Sequence, residues 1–277
     1  MKTGIIIPCY NEAKRLNVSA FVSFVTSNDK YHLCFVNDGS KDDTLAVLET
    51  IQEQAKMKVS IVDVKKNAGK AAAVRSGARY LFNRRDVDCI GFIDADLSTD
   101  FNDFEKLVNT LHKNEDLDLV YGSRGKGEGQ IERNVFRNLF SKIIKMIVFL
   151  ILGLPIEDTQ CGAKVFRRNI VPVAYESAFL TRWLFDVEIF IRLKKHYGKV
   201  QTMDKIYEQP LERWIHVDDS KLGMKDALQI PYMLLSIWFS YVVVQSFDVI
   251  VGQGETVAFD DAANTSAFYG MEGQKAA

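Results

Sequence analysis

Two aspartates close an apolar run in Cys89-Ile90-Gly91-Phe92-Ile93-Asp94-Ala95-Asp96. A short apolar run that ends in carboxylates reads as a buried strand, and in an open parallel sheet ligands bind outside the carboxyl ends of the strands. Residues two apart on an extended chain point the same way, so Asp94 and Asp96 can both offer oxygen to one hard divalent cation. Such a cation can bridge the diphosphate of a bound nucleotide. The competing reading is local: Asp96 caps the next helix and Asp94 makes a turn. The spacing alone leaves both open.

Other polar clusters sit at the ends of apolar runs in the same way. The chain opens with Thr3-Gly4-Ile5-Ile6-Ile7-Pro8-Cys9-Tyr10-Asn11-Glu12, a strand expected to stop at the proline and to lead through a polar loop into a helix over 13–25. The run over 31–36 ends in Asn37-Asp38-Gly39-Ser40, with Ser40 and Asp43 spaced as a helix N-cap pair before a helix Thr44–Gln54. Asp38 lies too early for that cap and is placed to accept hydrogen bonds from a base or a ribose. A third strand, Val59–Val64, leads to Asn67-Ala68-Gly69-Lys70 and an Ala-rich helix through Tyr80. A cation at a helix start meets the positive end of the helix, so Lys70 is expected to pair with an anionic group. The GxxxxGK[ST] pattern is missing, which excludes a P-loop. The fourth strand carries Asp94 and Asp96, and a helix over 101–112 follows. Four strand-helix units in a row predict an α/β fold with a right-handed parallel sheet.

Composition agrees with one globular unit: 277 residues, 47% of them hydrophobic and 26% charged, are enough to bury a full core. A net charge of -1 gives no global signal for nucleic acid. Residues 122–168 nevertheless hold nine Lys/Arg against four Asp/Glu. That local excess calls for an anionic partner, with a solvated basic face as the alternative. Cys9, Cys34, Cys89 and Cys161 lack paired metal-ligand spacing and read as buried, reduced thiols. The N-terminus enters a strand almost at once, without a signal-peptide pattern.

Taken together, Pro8-Cys9-Tyr10-Asn11-Glu12, Asn37-Asp38-Gly39-Ser40, Asn67-Ala68-Gly69-Lys70 and Asp94-Ala95-Asp96 resemble the ordered motifs of inverting family 2 nucleotide-sugar glycosyltransferases with the GT-A fold. The resemblance implies a mostly parallel central sheet flanked by helices. It also implies a donor site of Pro8, Tyr10, Asn11, Glu12, Asp38, Gly39, Lys70, Asp94 and Ala95. In it Tyr10, Glu12 and Asp38 surround base and ribose, while Asp94 and Asp96 hold Mg²⁺ or Mn²⁺ on the diphosphate. Ser98 stands where relatives often carry a glutamine as a further metal ligand.

The second half narrows the resemblance. A strand over 118–121 ends in Gly122-Ser123-Arg124, and a glycine-rich loop over 125–129 precedes a helix holding Arg133, Arg137 and Ser141. Arg137 and Ser141, four apart, share a helical face. Asp158-Thr159-Gln160-Cys161-Gly162-Ala163-Lys164 then enters a strand, and Arg182-Trp183-Leu184-Phe185-Asp186-Val187-Glu188 follows. This pattern is similar to the polyprenyl-phosphate glycosyltransferases, the relatives of dolichyl-phosphate glucose and mannose synthases, and leans toward the glucosyl branch. It implies that Arg124, Arg137, Ser141 and Gln160 bind the acceptor, with Asp96, Asp158 and Arg124 catalytic. Ala163 stands where relatives often carry phenylalanine, which is expected to change the wall of an acceptor channel.

The apolar stretch 143–154 is too short to span a bilayer, and reads as an interfacial helix or a buried core helix. Residues 228–244 carry no charge and are expected to form a membrane-contacting helix, spanning being the lesser alternative. Three regions are thus expected: a GT-A domain over 1–222, an apolar helical segment over 223–251, and a small, polar, acidic tail over 252–277 without periodicity.

The reading that follows is transfer of a hexose, glucose foremost, from a nucleotide diphosphate sugar, UDP-glucose foremost, to a polyprenyl phosphate, with inversion, at the cytoplasmic face of a membrane. Nucleic acid is not an expected partner, and a homo-oligomer is compatible with the sequence. Two alternatives remain. One is transfer to a sugar hydroxyl in cell-surface polysaccharide or glycolipid synthesis, with Asp158 as base. The other is a non-catalytic nucleotide-sugar-binding partner of a membrane complex.

Overall fold

The computed structural model describes residues 1–124, 135–213 and 224–244, with the side chains of 135–142, 224–228, 242 and 244 outside that description. The tail expected over 252–277 and the position of Arg133 lie outside it. Elements follow in the order β1 (Thr3–Cys9), α1 (Val18–Ser27), β2 (Tyr31–Asp38), α2 (Thr44–Gln54), β3 (Val59–Val64), α3 (Lys70–Asn83), β4 (Cys89–Phe92), α4 (Phe101–Lys113) and β5 (Leu119–Ser123). Then come α5 (Val135–Leu152), β6 (Lys164–Arg167), α6 (Val171–Tyr175), α7 (Phe185–Tyr197), α8 (Lys199–Lys205), β7 (Ile206–Pro210) and α9 (Met224–Trp238), which runs into a π-helical segment Phe239–Val244.

The strands form one sheet ordered β3-β2-β1-β4-β6-β5-β7. The first four are parallel, β6 runs antiparallel to β4 and β5, and β7 is parallel to β5, so the sheet is mostly parallel as expected. Alternation along the strands fills two cores. Ile5, Ile7, Leu33 and Phe35 face the side covered by α1, α2 and α4, while Ile6, Cys34, Val36 and Phe92 face α3, α5 and α7. All four cysteines are buried and free.

Several local expectations change. Pro8 does not end β1; it pairs with Val36, and the strand runs on to Cys9. Ile6 directs its carbonyl to Ile93 on the β4 side, and β4 pairing stops there. Pro8, two residues on, aims its N–H-less nitrogen at a side with no strand left to bond. Helix α1 starts at Val18 rather than near Ala13, because Glu12 holds Arg15 and Leu16 in a turn and Asn17 supplies the N-cap to Ala20. Ser40 does not cap α2: Asp42 takes the Thr44 amide, and the Ser40 hydroxyl accepts from Asn11 instead.

The apolar stretch expected to be either interfacial or core has a side in the core and an exposed apolar side. Within α5 it buries Val148, Ile151 and Leu152 and exposes Ile143, Met146, Phe149 and Leu150, the last by 71%. Helix α9 docks beside it, burying Leu234 and Ile237 in the same core while Tyr232, Leu235 and Trp238 stay exposed. Among the described residues no helix is long and apolar enough to cross a membrane.

Candidate active site

The rim at the carboxyl ends of β1, β2 and β4 is laced together by short polar contacts. Asn11 adopts a left-handed backbone (φ 49°), donates its amide to Ser40 and accepts from the Lys41 amide through its side chain. The Glu12 amide donates to Thr44 Oγ1 at 2.7 Å. Tyr10 is half-buried at the end of β1, and Gly39 turns with φ +62° beside the backbone of Asn67. Predicted donor residues from two separate strands therefore share one edge.

Asp38 is almost fully buried, and its carboxylate is occupied by the chain itself. It accepts from the Ala68 amide (2.9 Å), the Gly69 amide (2.8 Å) and Asn67 Nδ2 (2.8 Å). Three hydrogen bonds leave about one lone-pair direction of a carboxylate, so any contact from Asp38 to a base is a single one. Its larger task here is to hold the loop before α3, which fixes Lys70.

Asp94 and Asp96 do not lie on extended chain. Strand β4 stops at Phe92, and a turn closed by the Leu97 amide on the Asp94 carbonyl carries both residues, with the buried Ala95 between them. Each faces its own cation: Asp94 Oδ1 meets Lys70 Nζ at 2.5 Å, and Asp96 Oδ2 meets Arg15 at 3.3 Å. Asp96 also takes the Ser98 amide at 3.0 Å, whereas Asp100 caps α4, so Asp96 is a turn residue and not the cap. Burial pulls the Lys70 ammonium down, but Asp94, Asp186 and Asp96 outweigh it and raise its pKa. Lys70 thus has the anionic partner that its place at a helix start required.

No group of three metal-ligating side chains occurs among the described residues. Two carboxylates on one turn still fit Mg²⁺ or Mn²⁺, because such ions are held by one or two carboxylates together with substrate phosphates. Asp94 and Asp96 would be the protein ligands.

The second half of the chain closes on this turn. Gly162 packs so tightly on Asp94 that a Cβ there would fall 2.0 Å from Asp94 Oδ2. Its loop is stapled from below by Lys164, a fully buried lysine that donates to the carbonyls of Thr159 (3.0 Å) and Cys161 (2.8 Å) and pairs with Asp186 at 2.6 Å. Burial raises the Asp186 carboxyl above its ordinary value, with Lys164 and Lys70 pulling against it. From the other side Glu208 on β7 accepts the amides of Glu157 and Asp158. Ala163 does not line a channel: it is fully buried in the core, and its carbonyl accepts from Gly122.

Asp158 and Arg124 meet as a two-pronged pair, Nε to Oδ2 at 2.7 Å and Nη2 to Oδ1 at 2.8 Å. The Arg124 and Gln160 amides add two more bonds to the same carboxylate. Burial pushes Asp158 up, but Arg124 outweighs burial and holds it below the ordinary carboxylate range. A carboxylate so committed is a poor proton acceptor. Beside it, Gln160 Nε2 is buried without a hydrogen-bond partner, a donor still to be satisfied. Arg137 and Ser141 fall within α5, with their side chains outside the description.

Among the described residues, Lys145 of this basic stretch is exposed, while four other basic side chains are spent on the protein itself. Lys164 is buried, Arg124 is paired, Arg167 donates to the carbonyls of Leu111, Asn114 and Leu117, and Arg168 donates to those of Phe82, Arg84 and Val87. Sequence reasoning missed the supporting residues Arg15, Lys164, Asp186 and Glu208. A lysine between apolar neighbours in a strand was the one readable signal.

Comparison with known proteins bears on this arrangement. The sequence pattern of Glycosyl transferase family 2 matches residues 4–172. A dolichyl-phosphate beta-glucosyltransferase of Drosophila melanogaster is 31% identical over 262 residues, covering 88% of this chain and 76% of that protein. One from Dictyostelium discoideum is 29% identical, with 87% and 75% covered. Among solved structures, Mycobacterium tuberculosis glucosyl-3-phosphoglycerate synthase in complex with Mn²⁺, uridine-diphosphate-glucose and phosphoglyceric acid superposes with a TM-score of 0.62. Its sequence identity is 18%, over 86% of this chain and 79% of that one, a likeness of fold.

Proposed function

The chain belongs to glycosyl transferase family 2, and from that premise we propose that it transfers glucose from UDP-glucose to a polyprenyl phosphate, with inversion, at the cytoplasmic face of a membrane. The observation that carries this reading is the seating of the Asp158–Gly162 loop on the Asp94 turn, with Gly162 against the Asp94 carboxylate. The loop carries Gln160 and holds Arg124 through Asp158, which supports joining the expected acceptor residues to the Asp94 turn. The relatives' acceptor, a dolichyl phosphate, supports the lipid, and the exposed apolar faces of α5 and α9 support contact with a membrane surface.

In this mechanism an acceptor phosphate oxygen attacks the anomeric carbon from the face opposite the diphosphate. The carbon–oxygen bond to the nucleotide breaks, and its electron pair leaves on the diphosphate. Asp94 and Asp96 would hold Mg²⁺ or Mn²⁺, which when bound would supply positive charge against the departing diphosphate. Lys70, fixed beside Asp94, places a further positive charge at the same edge. The acceptor, a phosphate monoester with a second pKa near ~6, is already ionised at neutral pH and needs no base. Asp158 accordingly orients Arg124 and holds the acceptor loop. This geometry disfavours the hydroxyl acceptor, which needs a free base where Asp158 is committed to an arginine.

The test is turnover of purified protein with radiolabelled UDP-glucose and other nucleotide sugars, each with polyprenyl phosphate. The expected result is a glucosylated lipid phosphate with release of UDP. Binding of the sugar nucleotide without release of a nucleoside diphosphate would leave a binding protein, and transfer only to sugar hydroxyls would favour the alternative acceptor.

A further inference from the structure

The loop Asn67–Gly69, which carries the chain into Lys70, is held from two sides with opposite chemistry. Its amides point at the Asp38 carboxylate. Its carbonyls point at Arg182, whose Nε donates to the Ala68 carbonyl at 3.2 Å and whose Nη2 donates to the carbonyl and side-chain oxygen of Asn67. The Arg182 carbonyl in turn accepts from the Ala71 amide in the first turn of α3, next to Lys70. Gly69 allows this, since it has φ +94° and a Cβ there would lie 2.7 Å from Arg182 Nε.

Arg182 is exposed, but the residues before it are anchored deep in the protein. The fully buried Glu188 accepts from the Leu180 amide (2.9 Å), the Thr181 amide (3.0 Å) and the Thr181 hydroxyl (2.9 Å). The same carboxylate accepts from the Tyr241 hydroxyl at 2.9 Å, which itself accepts from Arg192 Nη2 at 2.9 Å and Nε at 3.1 Å. Tyr241 belongs to the π-helical segment that continues α9, the helix with the exposed apolar face.

We propose that Arg182 is a positioning residue of the nucleotide loop, and that Glu188 and Tyr241 transmit the seating of the C-terminal helix to it. The path is continuous: Tyr241 sets one oxygen of Glu188, Glu188 sets the turn at Leu180 and Thr181, and Arg182, next in the chain, clamps Asn67 and Ala68 against Asp38. Neither Arg182 nor Tyr241 needs to touch the donor for its loss to weaken donor binding. The effect on nucleotide affinity rests on the donor reading above; the effect on loop order does not.

The experiment uses the full chain and its Arg182→Ala, Arg182→Lys and Tyr241→Phe variants. UDP affinity with Mn²⁺ is measured by calorimetry, and amide exchange is followed at Ala68 and Gly69. Losing the clamp should weaken UDP binding on the order of tenfold in Arg182→Ala, and losing the Tyr241 hydroxyl, which links Glu188 to Arg192, should weaken it about threefold in Tyr241→Phe. Both should speed exchange at Ala68 and Gly69 while leaving the core amides of Leu33 to Val36 unchanged. Arg182→Lys should recover part of the loss, because one ammonium cannot reach three acceptors as a fork does. The KM for polyprenyl phosphate should stay at the wild-type value. If either Arg182→Ala or Tyr241→Phe leaves both UDP affinity and exchange at wild-type values, the relay is overturned. Wild-type protein that binds no UDP would refute the donor reading, and exchange at Ala68 and Gly69 would then decide the relay alone.

Discussion

Replacing Asp158 by asparagine separates a positioning carboxylate from a catalytic base. The change removes the charge that grips Arg124 in two places while leaving an amide oxygen for one backbone contact. Breaking a fully buried pair costs about 3–5 kcal/mol. Here the Asp158 side chain is 9% exposed but the Arg124 side chain is 38% exposed. Solvent screening on the arginine side therefore brings the expected loss down to about 2 kcal/mol. For a domain of this size that is a fall of about 4–8 °C in Tm. The sign with pH follows from the depressed carboxyl: its contribution is fully present above the unfolded value and is lost as pH falls through the folded one. The gap in Tm between wild type and variant should therefore be flat from about pH 5 to 8 and should close below about pH 4. In kinetics, loss of a positioning group lowers kcat/KM by a factor that does not vary across neutral pH. Added formate should then restore nothing. An unchanged Tm, or recovery of turnover by a small carboxylate, would refute this account and return Asp158 to the role of base.

Asp96→Asn should bind Mn²⁺ with UDP far more weakly and lose turnover without losing its fold, since an amide lacks the charge a hard cation needs; wild-type activity of the variant in chelator would end the metal role. Gly162→Ala puts a methyl where Asp94 lies and should cut turnover sharply, with a crystal structure or calorimetry of UDP binding showing the displaced carboxylate. Burial lowers the pKa of His32, hydrogen-bonded to Ser60, to about 4. Its neutral form therefore stabilises the fold above about pH 6.5, a contribution of about 3 kcal/mol that is lost as pH falls toward 4, and His32→Gln should flatten denaturation midpoints across that window. Arg137→Lys should raise the KM for polyprenyl phosphate about tenfold while UDP affinity holds, because a fork on phosphate becomes a point contact; equal KM values would remove Arg137 from the acceptor site.

Much of the fold was legible because it depends on local signals. The bounds Thr44–Gln54 and Val59–Val64 stand as read. The start of α1 was missed although Asn17 before Val18 is itself a cap signal, because the turn that Glu12 imposes on Arg15 and Leu16 cannot be seen from composition. What stayed hidden is long-range. Lys164 could be suspected as buried, yet nothing in the sequence selects Asp186 as its partner. Glu208 reaches Asp158 only because β7 is placed beside β5. The count of basic residues over 122–168 did not show that Arg167 and Arg168 spend their donors on carbonyls of neighbouring segments.

The two readings of Asp94 and Asp96 left open by their spacing, cation ligands or local turn residues, do not exclude each other. Both residues sit in a turn, as the local reading held for Asp94 but not for Asp96, which it made a helix cap, and the turn is what aims each carboxylate at its own cation. Both carboxylates already pair with cations, Lys70 and Arg15, and Arg15 also pairs with Glu12 at 3.6 Å. A divalent cation alone would have to displace those partners or add uncompensated charge beside them, and with two protein carboxylates it lacks a full ligand set. A nucleotide diphosphate changes the balance, since it supplies both oxygen ligands and the negative charge that Lys70 can turn toward. On the proposed function, the same electrostatics would favour cation and nucleotide binding together over either binding alone.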